Sequence, residues 1–456
     1  MIIYRISQST ILHLEYWLNK ITVIIKENIL NQLIFSFLIL ILINSCTPEE
    51  ASKRLTYDEA VALTTSRPIQ KQWKGTYYFN DSTVRFSNEF DGARLNGVLQ
   101  TSDHEFTILI AAENYPVNSS PWYAFKINAD TSTNVIIHFT YLESRNRYFP
   151  KLSYDRLLWV YADSSQVELI NKGEGEKGIS TVYESMKLTT TVSSENLYIA
   201  AQEVINSNDV NDWIDTLTAK NFISRIKIGT SMQHRDMPAF QISSNENTSK
   251  KDKGKALIVI SRQHPPEITG YLVMKSFIGK MTDDSELSMD FRKEYTVFVA
   301  PLMNPDGVDN GHWRHNANGV DLNRDWTGFN QPETSNIKTF LKKKTEEGYD
   351  FTLGVDFHST WQDVYYPYDS AITGGSGGLI YEWIRSIDRK LPDYHPNIKP
   401  SKTDTPSVYS RNFFYNEYGM NPLIFEIGDN TDRAFIKEKG IAAAEGLMEI
   451  LTQKHH

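Results

Sequence analysis

The feature that most constrains the fold is a regular alternation of apolar strands and helical stretches after Ala200. Such alternation is typical of an α/β sheet covered by helices on both faces. Open sheets of this class place their chemistry at the carboxyl ends of the strands. The predicted strands are Ala256–Ser261, Tyr295–Pro301, Phe351–Phe357 and Pro422–Ile427, and the predicted helices are Glu267–Met281, Pro332–Glu346, Gly377–Leu391 and Arg433–Thr452.

Three of these strand ends carry candidate catalytic side chains. His264 and Glu267 follow the first strand, His358 closes the third, and Glu426 lies inside the apolar fourth. Two ligands close in sequence and a distant third are the usual construction of an open catalytic zinc site. A carboxylate such as Glu426 beside a metal-activated water is a candidate general base. The alternatives are an exposed His before a helix N-terminus and a paired structural carboxylate.

Composition narrows the choice of metal ligands and partners. The 456 residues contain one cysteine, which excludes a disulfide framework, an iron–sulfur cluster and a cysteine-based zinc site. Any metal must therefore be held by His, Asp and Glu. With 47 Lys+Arg against 56 Asp+Glu the net charge is −9, which argues against a nucleic-acid partner.

Arg314, Asn323 and Arg324 lie between the first and third ligand regions and are candidates for gripping an anion. Arginine offers a fixed fork of donors that matches a carboxylate in a bidentate manner. The alternative is that these arginines form surface salt bridges.

The chain before Ala200 has a different pattern. From Tyr57 to Leu197, short alternating segments separated by turn residues predict an antiparallel β-sandwich, with Leu157–Tyr161 among its strands. We therefore expect a sandwich domain over residues 47–200 and the α/β domain over residues 201–456. The sandwich clusters no titratable groups in sequence, and we expect it to act as a scaffold or a substrate rim.

Residues 1–46 are interpreted as a targeting segment. The apolar run Leu33–Ile43 is too short to span a bilayer but fits the core of a signal peptide. Ile43-Asn44-Ser45-Cys46 resembles a bacterial lipoprotein box, in which Cys46 is lipidated and anchors the protein to a membrane of the cell envelope. The alternatives are an uncleaved N-terminal anchor or a buried cysteine.

Several motifs together resemble one enzyme family. They are HPPE (264–267), NPDGV (304–308), WR (313–314), GVDLNRDW (319–326), DFH (356–358) and the final Phe-Glu (425–426). In this order they are similar to the zinc metallocarboxypeptidases related to carboxypeptidase A. FSNEFDGARLNGV, SSPWYAFKI and RYFPKLSYDRLLW are similar to the N-terminal sandwich of the cytosolic-carboxypeptidase branch.

The resemblance implies one Zn²⁺ ion and a role for each candidate residue. His264, Glu267 and His358 would bind zinc, and Glu426 would be the general base. Arg314 would polarise the scissile carbonyl and stabilise the oxyanion. The terminal carboxylate of a peptide substrate would be held by Asn323 and Arg324.

Two further positions before Glu426 bear on specificity. The family's mobile tyrosine would fall on Asp404, so Tyr409 and Tyr415 are the nearby substitutes. The family's pocket-floor position falls on Arg411, which we expect to favour an acidic C-terminal residue; the alternative is a salt-bridged helix residue.

Three functions are consistent with the sequence. The first is a lipid-anchored zinc carboxypeptidase that hydrolyses the last bond of a peptide. The others are a non-catalytic, surface-anchored peptide-binding protein and a metal-dependent amidase acting on cell-wall stem peptides. The Asn323–Arg324 pair favours the first because it suits a free terminal carboxylate.

Overall fold

A computed structural model of the chain describes residues 68–81, 83–114, 120–142, 144–173, 182–244, 254–369, 378–401 and 408–453. The predicted targeting segment, including Cys46, lies outside the described residues. Within them, no helix combines the length and the apolar character that a membrane span requires.

The first eleven described strands form two sheets, as the short alternating segments predict. One sheet has the order β1-β2-β5-β11-β7-β8 and the other β3-β4-β6-β10-β9. These strands are β1 Thr76–Phe79, β2 Val84–Ser87, β3 Gly97–Ser102, β4 Glu105–Ile110, β5 Ala124–Ala129, β6 Thr133–Tyr141, β7 Lys151–Ser153, β8 Val160–Tyr161, β9 Val167–Gly173, β10 Val182–Val192 and β11 Leu197–Ala200.

The two sheets share one apolar core. Phe86 of β2 and Phe106 of β4 meet across it with ring centroids 5.0 Å apart, a separation typical of packed aromatic pairs. Strand β4 pairs with β6 in parallel, whereas the other pairings within the two sheets are antiparallel. The predicted strand Leu157–Tyr161 is shorter than expected: only Val160–Tyr161 pairs, because the N–H groups of Leu157 and Leu158 donate to Asp155 Oδ1 in a local turn.

A third sheet follows and confirms the α/β class predicted from the alternation. Its order is β12-β13-β15-β14-β16-β18-β17, with the four central strands parallel and antiparallel strands at both edges. The strands are β12 Ile223–Arg225, β13 Phe240–Ile242, β14 Gly254–Ser261, β15 Tyr295–Ala300, β16 Tyr349–Thr360, β17 Val364–Pro367 and β18 Asn421–Gly428.

Helices cover both faces of this sheet, as predicted. They are α1 Ser207–Thr218, α2 Ile268–Met281, α3 Glu286–Glu294, α4 Pro305–Asp309, α5 Pro332–Glu346, α6 Gly378–Lys390, α7 Ser410–Tyr418 and α8 Arg433–Gln453. Alternate residues of β14 point to opposite faces. Leu257 and Val259 join the apolar cluster of α2, α6 and α8, whereas Ile258 joins the cluster of α5 and α7.

Candidate active site

The candidate metal ligands come from the carboxyl ends of two neighbouring parallel strands. His264 and Glu267 occupy the turn between β14 and α2, and His358 lies near the end of β16. Gly270 lets α2 approach β16 closely, because a Cβ at this position would lie 2.5 Å from the carbonyl oxygen of His358. The Gly270 N–H also donates to the Ser359 hydroxyl at 2.8 Å. These contacts hold Glu267 beside His358.

The three side chains converge on one point. The Nδ1 atoms of His264 and His358 each lie 2.7 Å from a different oxygen of Glu267. Ligand atoms of all three residues lie within 4.8 Å of one another. Two imidazoles and one carboxylate are the donor set of an open catalytic zinc site, with a further coordination position left for water or substrate.

The other nitrogen of each imidazole faces a buried carboxylate. His264 Nε2 lies 2.9 Å from Asp321 Oδ1, and His358 Nε2 lies 2.9 Å from Asp356 Oδ2. Carboxylates in this position fix the tautomer of a metal-binding histidine, leaving a lone pair on Nδ1. In that tautomer the lone pairs of both rings point at the oxygens of Glu267, an arrangement that a cation between them would stabilise. The residues therefore fit a bound metal ion.

Electrostatics around this cluster favours the ionised carboxylate. Burial raises the pKa of Glu267, but His264 and His358 lower it by more than burial raises it. The pKa of Glu267 therefore lies far below the ordinary value. Burial lowers the pKa of His358, whereas Asp356 and Glu267 raise it well above the ordinary value. Glu267 is thus held in the ionised form, which suits it to bind a divalent cation.

Glu426 lies beside the cluster, in register with His358 on the adjacent strands β18 and β16. Its Oε2 atom is buried and has no hydrogen-bond partner. Burial raises the pKa of Glu426 to about 7; His358 lowers it and Glu267 raises it. A carboxylate with a pKa near neutrality is suited to accept and return a proton.

The candidate anion-binding residues approach the cluster from the segment 313–324. Arg314 Nε donates to Asp321 Oδ2 at 2.6 Å, so Asp321 joins Arg314 to His264. Asn323 Oδ1 accepts from the Ser410 N–H at 3.2 Å, and the Arg324 guanidinium lies 4.6 Å from the centre of the Tyr409 ring. Arg314 and Arg324 retain 31% and 26% exposure of their side chains, which leaves donors accessible from the cavity.

One cavity of about 400 Å³ is lined by the predicted metal ligands, the candidate base and the predicted substrate-binding residues. Its lining includes His264, Glu267, Arg314, Asn323, Arg324, His358, Arg411 and Glu426. Tyr409 also lines the cavity, whereas Tyr415 packs on Tyr368 with ring centroids 4.8 Å apart. Asp404, the position on which the family's mobile tyrosine would fall, lies outside the described residues.

Sequence reasoning missed several residues of this site. Asp321 and Asp356, which orient the two histidines, stood within the quoted motifs but received no role. Arg147 of the sandwich also lines the cavity, and its Nε donates to Asp429 Oδ2 at 2.7 Å. No local signal in the sequence marks Arg147, because its partner lies 282 residues away.

Comparison with known families agrees with the motifs. The sequence model of the zinc carboxypeptidase family matches residues 210–436. Cytosolic carboxypeptidase 3 of Mus musculus is 22% identical over 265 residues, which cover 55% of this chain and 26% of that protein. Cytosolic carboxypeptidase 6 of Mus musculus is 28% identical over 156 residues, covering 32% and 29%. The chain thus spans less than a third of the length of these curated relatives.

Solved structures extend the likeness to the whole fold. A metallo-carboxypeptidase from Burkholderia cenocepacia superposes with a TM-score of 0.65 at 17% identity, covering 82% of this chain and 99% of that structure. A metallo-carboxypeptidase from Pseudomonas aeruginosa, in complex with (2-guanidinoethylmercapto)succinic acid, gives 0.62 at 18% identity, covering 81% and 99%. The shared architecture therefore includes most of the sandwich as well as the α/β sheet.

Proposed function

The chain carries a zinc carboxypeptidase domain, and from this premise we propose that it hydrolyses the last peptide bond of substrates with a free C-terminal carboxylate. The observation that carries the proposal is the content of one cavity, in which a His-Glu-His ligand set lies beside an unpartnered carboxylate and two arginines. This combination supplies a metal site, a general base and donors that bind anions, which are the three requirements of the reaction.

His264, Glu267 and His358 would hold the metal. When bound, zinc lowers the pKa of water and polarises the scissile carbonyl as a Lewis acid. Glu426 takes a proton from the attacking water and returns it to the leaving amine, a role open to it because its Oε2 atom has no hydrogen-bond partner. Arg314 donates to the developing oxyanion, where a fixed donor stabilises the transition state more than the substrate.

Asn323 and Arg324 bind the terminal carboxylate in this proposal. Arg324 is held against the Tyr409 ring and its Nη1 donates to the Asn323 carbonyl at 3.0 Å, which limits its rotamers before substrate arrives. A preorganised guanidinium loses less conformational entropy on binding a carboxylate. Both residues line the same cavity as the metal ligands, as an exopeptidase acting one bond from the terminus requires.

Arg411 is the proposed determinant of a preference for acidic C-terminal residues. Its side chain is nearly buried, and its Nη1 donates to the Tyr366 carbonyl at 3.1 Å while its Nε has no partner. Among the described residues no carboxylate forms an ion pair with it and the groups that act on its charge are tyrosines, so the salt-bridged alternative finds no support there. Burial lowers the pKa of Arg411 from its ordinary value, and an incoming carboxylate would offset that cost of burial.

Hydrolysis of matched peptides ending in Glu, Leu and Lys, each as free acid and as C-terminal amide, tests both levels of the proposal. We expect chelator-sensitive release of the last residue from the free acids, fastest for Glu. Release that is indifferent to amidation would favour an amidase, and no release at all would favour a peptide-binding protein. Arg411→Leu should remove the Glu preference, whereas Arg385→Leu on the exposed face of α6 should keep it.

We also propose that the protein works at the cell envelope, anchored through Cys46. The support is the sequence alone: an apolar run of signal-peptide length that ends at a lipoprotein-like box. Palmitate labelling in a bacterial host should mark the wild type and not Cys46→Ser. Equal labelling of both would contradict the assignment.

A further inference from the structure

A buried carboxylate of the sandwich, Glu113, holds the backbone that carries Arg314. Glu113 follows strand β4 and its side chain is fully buried. Its Oε2 accepts from the Trp313 N–H at 3.0 Å, and its Oε1 accepts from the N–H groups of Arg314 at 2.8 Å and His315 at 3.0 Å. Three consecutive backbone donors thus converge on one side chain about 200 residues away.

A fourth contact and the surrounding charges keep this carboxylate ionised. His315 Nδ1 lies 3.2 Å from Glu113 Oε1. Burial raises the pKa of Glu113, but hydrogen bonding and charge from His315, with His312 and Arg94, hold its pKa well below the ordinary value. An ionised carboxylate only accepts hydrogen bonds, and three backbone N–H groups and one imidazole face this one. Burying a charge costs several kcal/mol unless such partners compensate.

The same segment is seated on the sandwich at a second point. Gly311 has a positive φ of 70°, and a Cβ at this position would lie 2.2 Å from the Ala93 carbonyl oxygen. The Gly311 carbonyl accepts from Arg94 Nη1 at 3.2 Å. Residues 311–315 therefore lie against the sandwich with their backbone, while the Arg314 side chain extends into the cavity and reaches Asp321.

We propose that Glu113 is a positioning residue: it fixes the backbone of Trp313–His315 so that the Arg314 guanidinium meets the developing oxyanion. The inference rests on the proposed function of Arg314. Electrostatic stabilisation depends on donors that are in place before the reaction, and a misplacement of about 1 Å costs up to about 100-fold in rate. The sandwich then contributes to turnover through a contact with the α/β domain rather than by binding substrate.

Glu113→Gln tests the proposal with little change of shape. The new amide keeps one acceptor oxygen but places its NH₂ group against at least one of the backbone N–H groups that the carboxylate accepted from, so the segment must shift. We expect kcat to fall by about 10- to 100-fold with KM nearly unchanged, because Arg314 acts in the transition state. The kcat values are normalised to the fraction of protein that binds one zinc ion, so that unfolded molecules do not contribute.

The discriminating measurement is a double-mutant cycle with Arg314→Ala. If Glu113 acts through Arg314, Glu113→Gln should change kcat by less than about twofold once Arg314 is absent. An equal loss in both backgrounds would show a merely structural role and overturn the proposal. Asn88→Asp is the matched control: Asn88 is also fully buried in the sandwich, but its side chain bonds only to residues 72–95. Its kcat should be unchanged.

Two further measurements keep the outcome decisive. Amide hydrogen exchange at Trp313–His315 should accelerate at least tenfold in Glu113→Gln and not in Asn88→Asp; this readout needs no activity, so it separates failure of the proposal from failure of the proposed function. If Glu113→Gln does not fold, His315→Gln is used in its place in the double-mutant cycle with Arg314→Ala. It removes the contact of the His315 imidazole with Glu113, one of the four contacts of this carboxylate. Unchanged exchange together with unchanged kcat in these variants would refute the inference.

Discussion

Glu426→Gln should make the metal-free protein more stable at alkaline pH. In the zinc-loaded protein the same substitution should abolish most of the turnover. The two effects have one origin, the buried and unpartnered carboxylate of Glu426. Burial raises its pKa from 4.5 to about 7, so the native state holds a proton that the unfolded chain has already released. The free energy of unfolding therefore falls as the pH rises between these two values. Above the folded pKa the contribution of this carboxyl group is fully lost.

The magnitude follows from the pKa. At about 1.4 kcal/mol for each unit, a rise from 4.5 to about 7 corresponds to about 3 kcal/mol by pH 8.5 and to less than about 1 kcal/mol at pH 5. Glutamine keeps the shape and never ionises. The free energy of unfolding of Glu426→Gln relative to wild type should thus increase by about 2.5 kcal/mol between pH 5 and pH 8.5.

Urea denaturation of both proteins in a chelator, at several pH values, measures this difference. Glu449→Gln is the matched control, since Glu449 is a half-exposed carboxylate of α8 that pairs with Lys390. In the zinc-loaded state Glu426→Gln should retain the metal and lose about 10²- to 10⁴-fold in kcat, because it removes the base and not a ligand. Loss of zinc, or a stability difference independent of pH, would refute the reasoning.

Three further predictions concern the same cavity. Arg324→Ala should raise KM for free-acid peptides with a smaller change in kcat, measured by steady-state kinetics; an unchanged KM would exclude Arg324 from carboxylate binding. Asp321→Asn should weaken zinc binding by about 10- to 100-fold in a competitive chelator titration, since it removes the partner that orients His264. Metal removal should lower the melting temperature, and added zinc should restore it in a concentration-dependent way. Zinc should raise the free energy of unfolding by about 4 kcal/mol when free zinc is 1,000 times Kd. A melting temperature independent of zinc would contradict a metal site.

Much of the site was predictable because its signals are local. His264 and Glu267 are three residues apart after an apolar strand, and Glu426 is a charge inside an apolar strand, which a sequence can reveal without knowledge of contacts. The structure brings them together because parallel strands β14, β16 and β18 end at one edge of the sheet. The rule for open α/β sheets was therefore sufficient to anticipate the cluster.

The supporting contacts were not predictable in this way. Tyr409 and Tyr415 are equivalent in sequence, and only the packing of α7 directs Tyr409 to the cavity. Arg147 and Glu113 belong to a region that the sequence marked as scaffold, and their partners lie 282 and about 200 residues away. Hydrogen bonds between such distant positions leave no periodic or spaced pattern along the chain.

The sequence by itself determined the classes of the elements, the candidate metal ligands, the candidate base and the exclusion of cysteine-based chemistry. These follow from the periodicity of apolar residues, from short spacings and from composition, which are properties of the chain alone. The tertiary structure decided which carboxylates orient the histidines, which tyrosine faces the cavity and how the sandwich reaches the site. Those relations depend on the close approach of separate elements, such as α2 to β16 at Gly270, and such an approach exists only once the elements have packed.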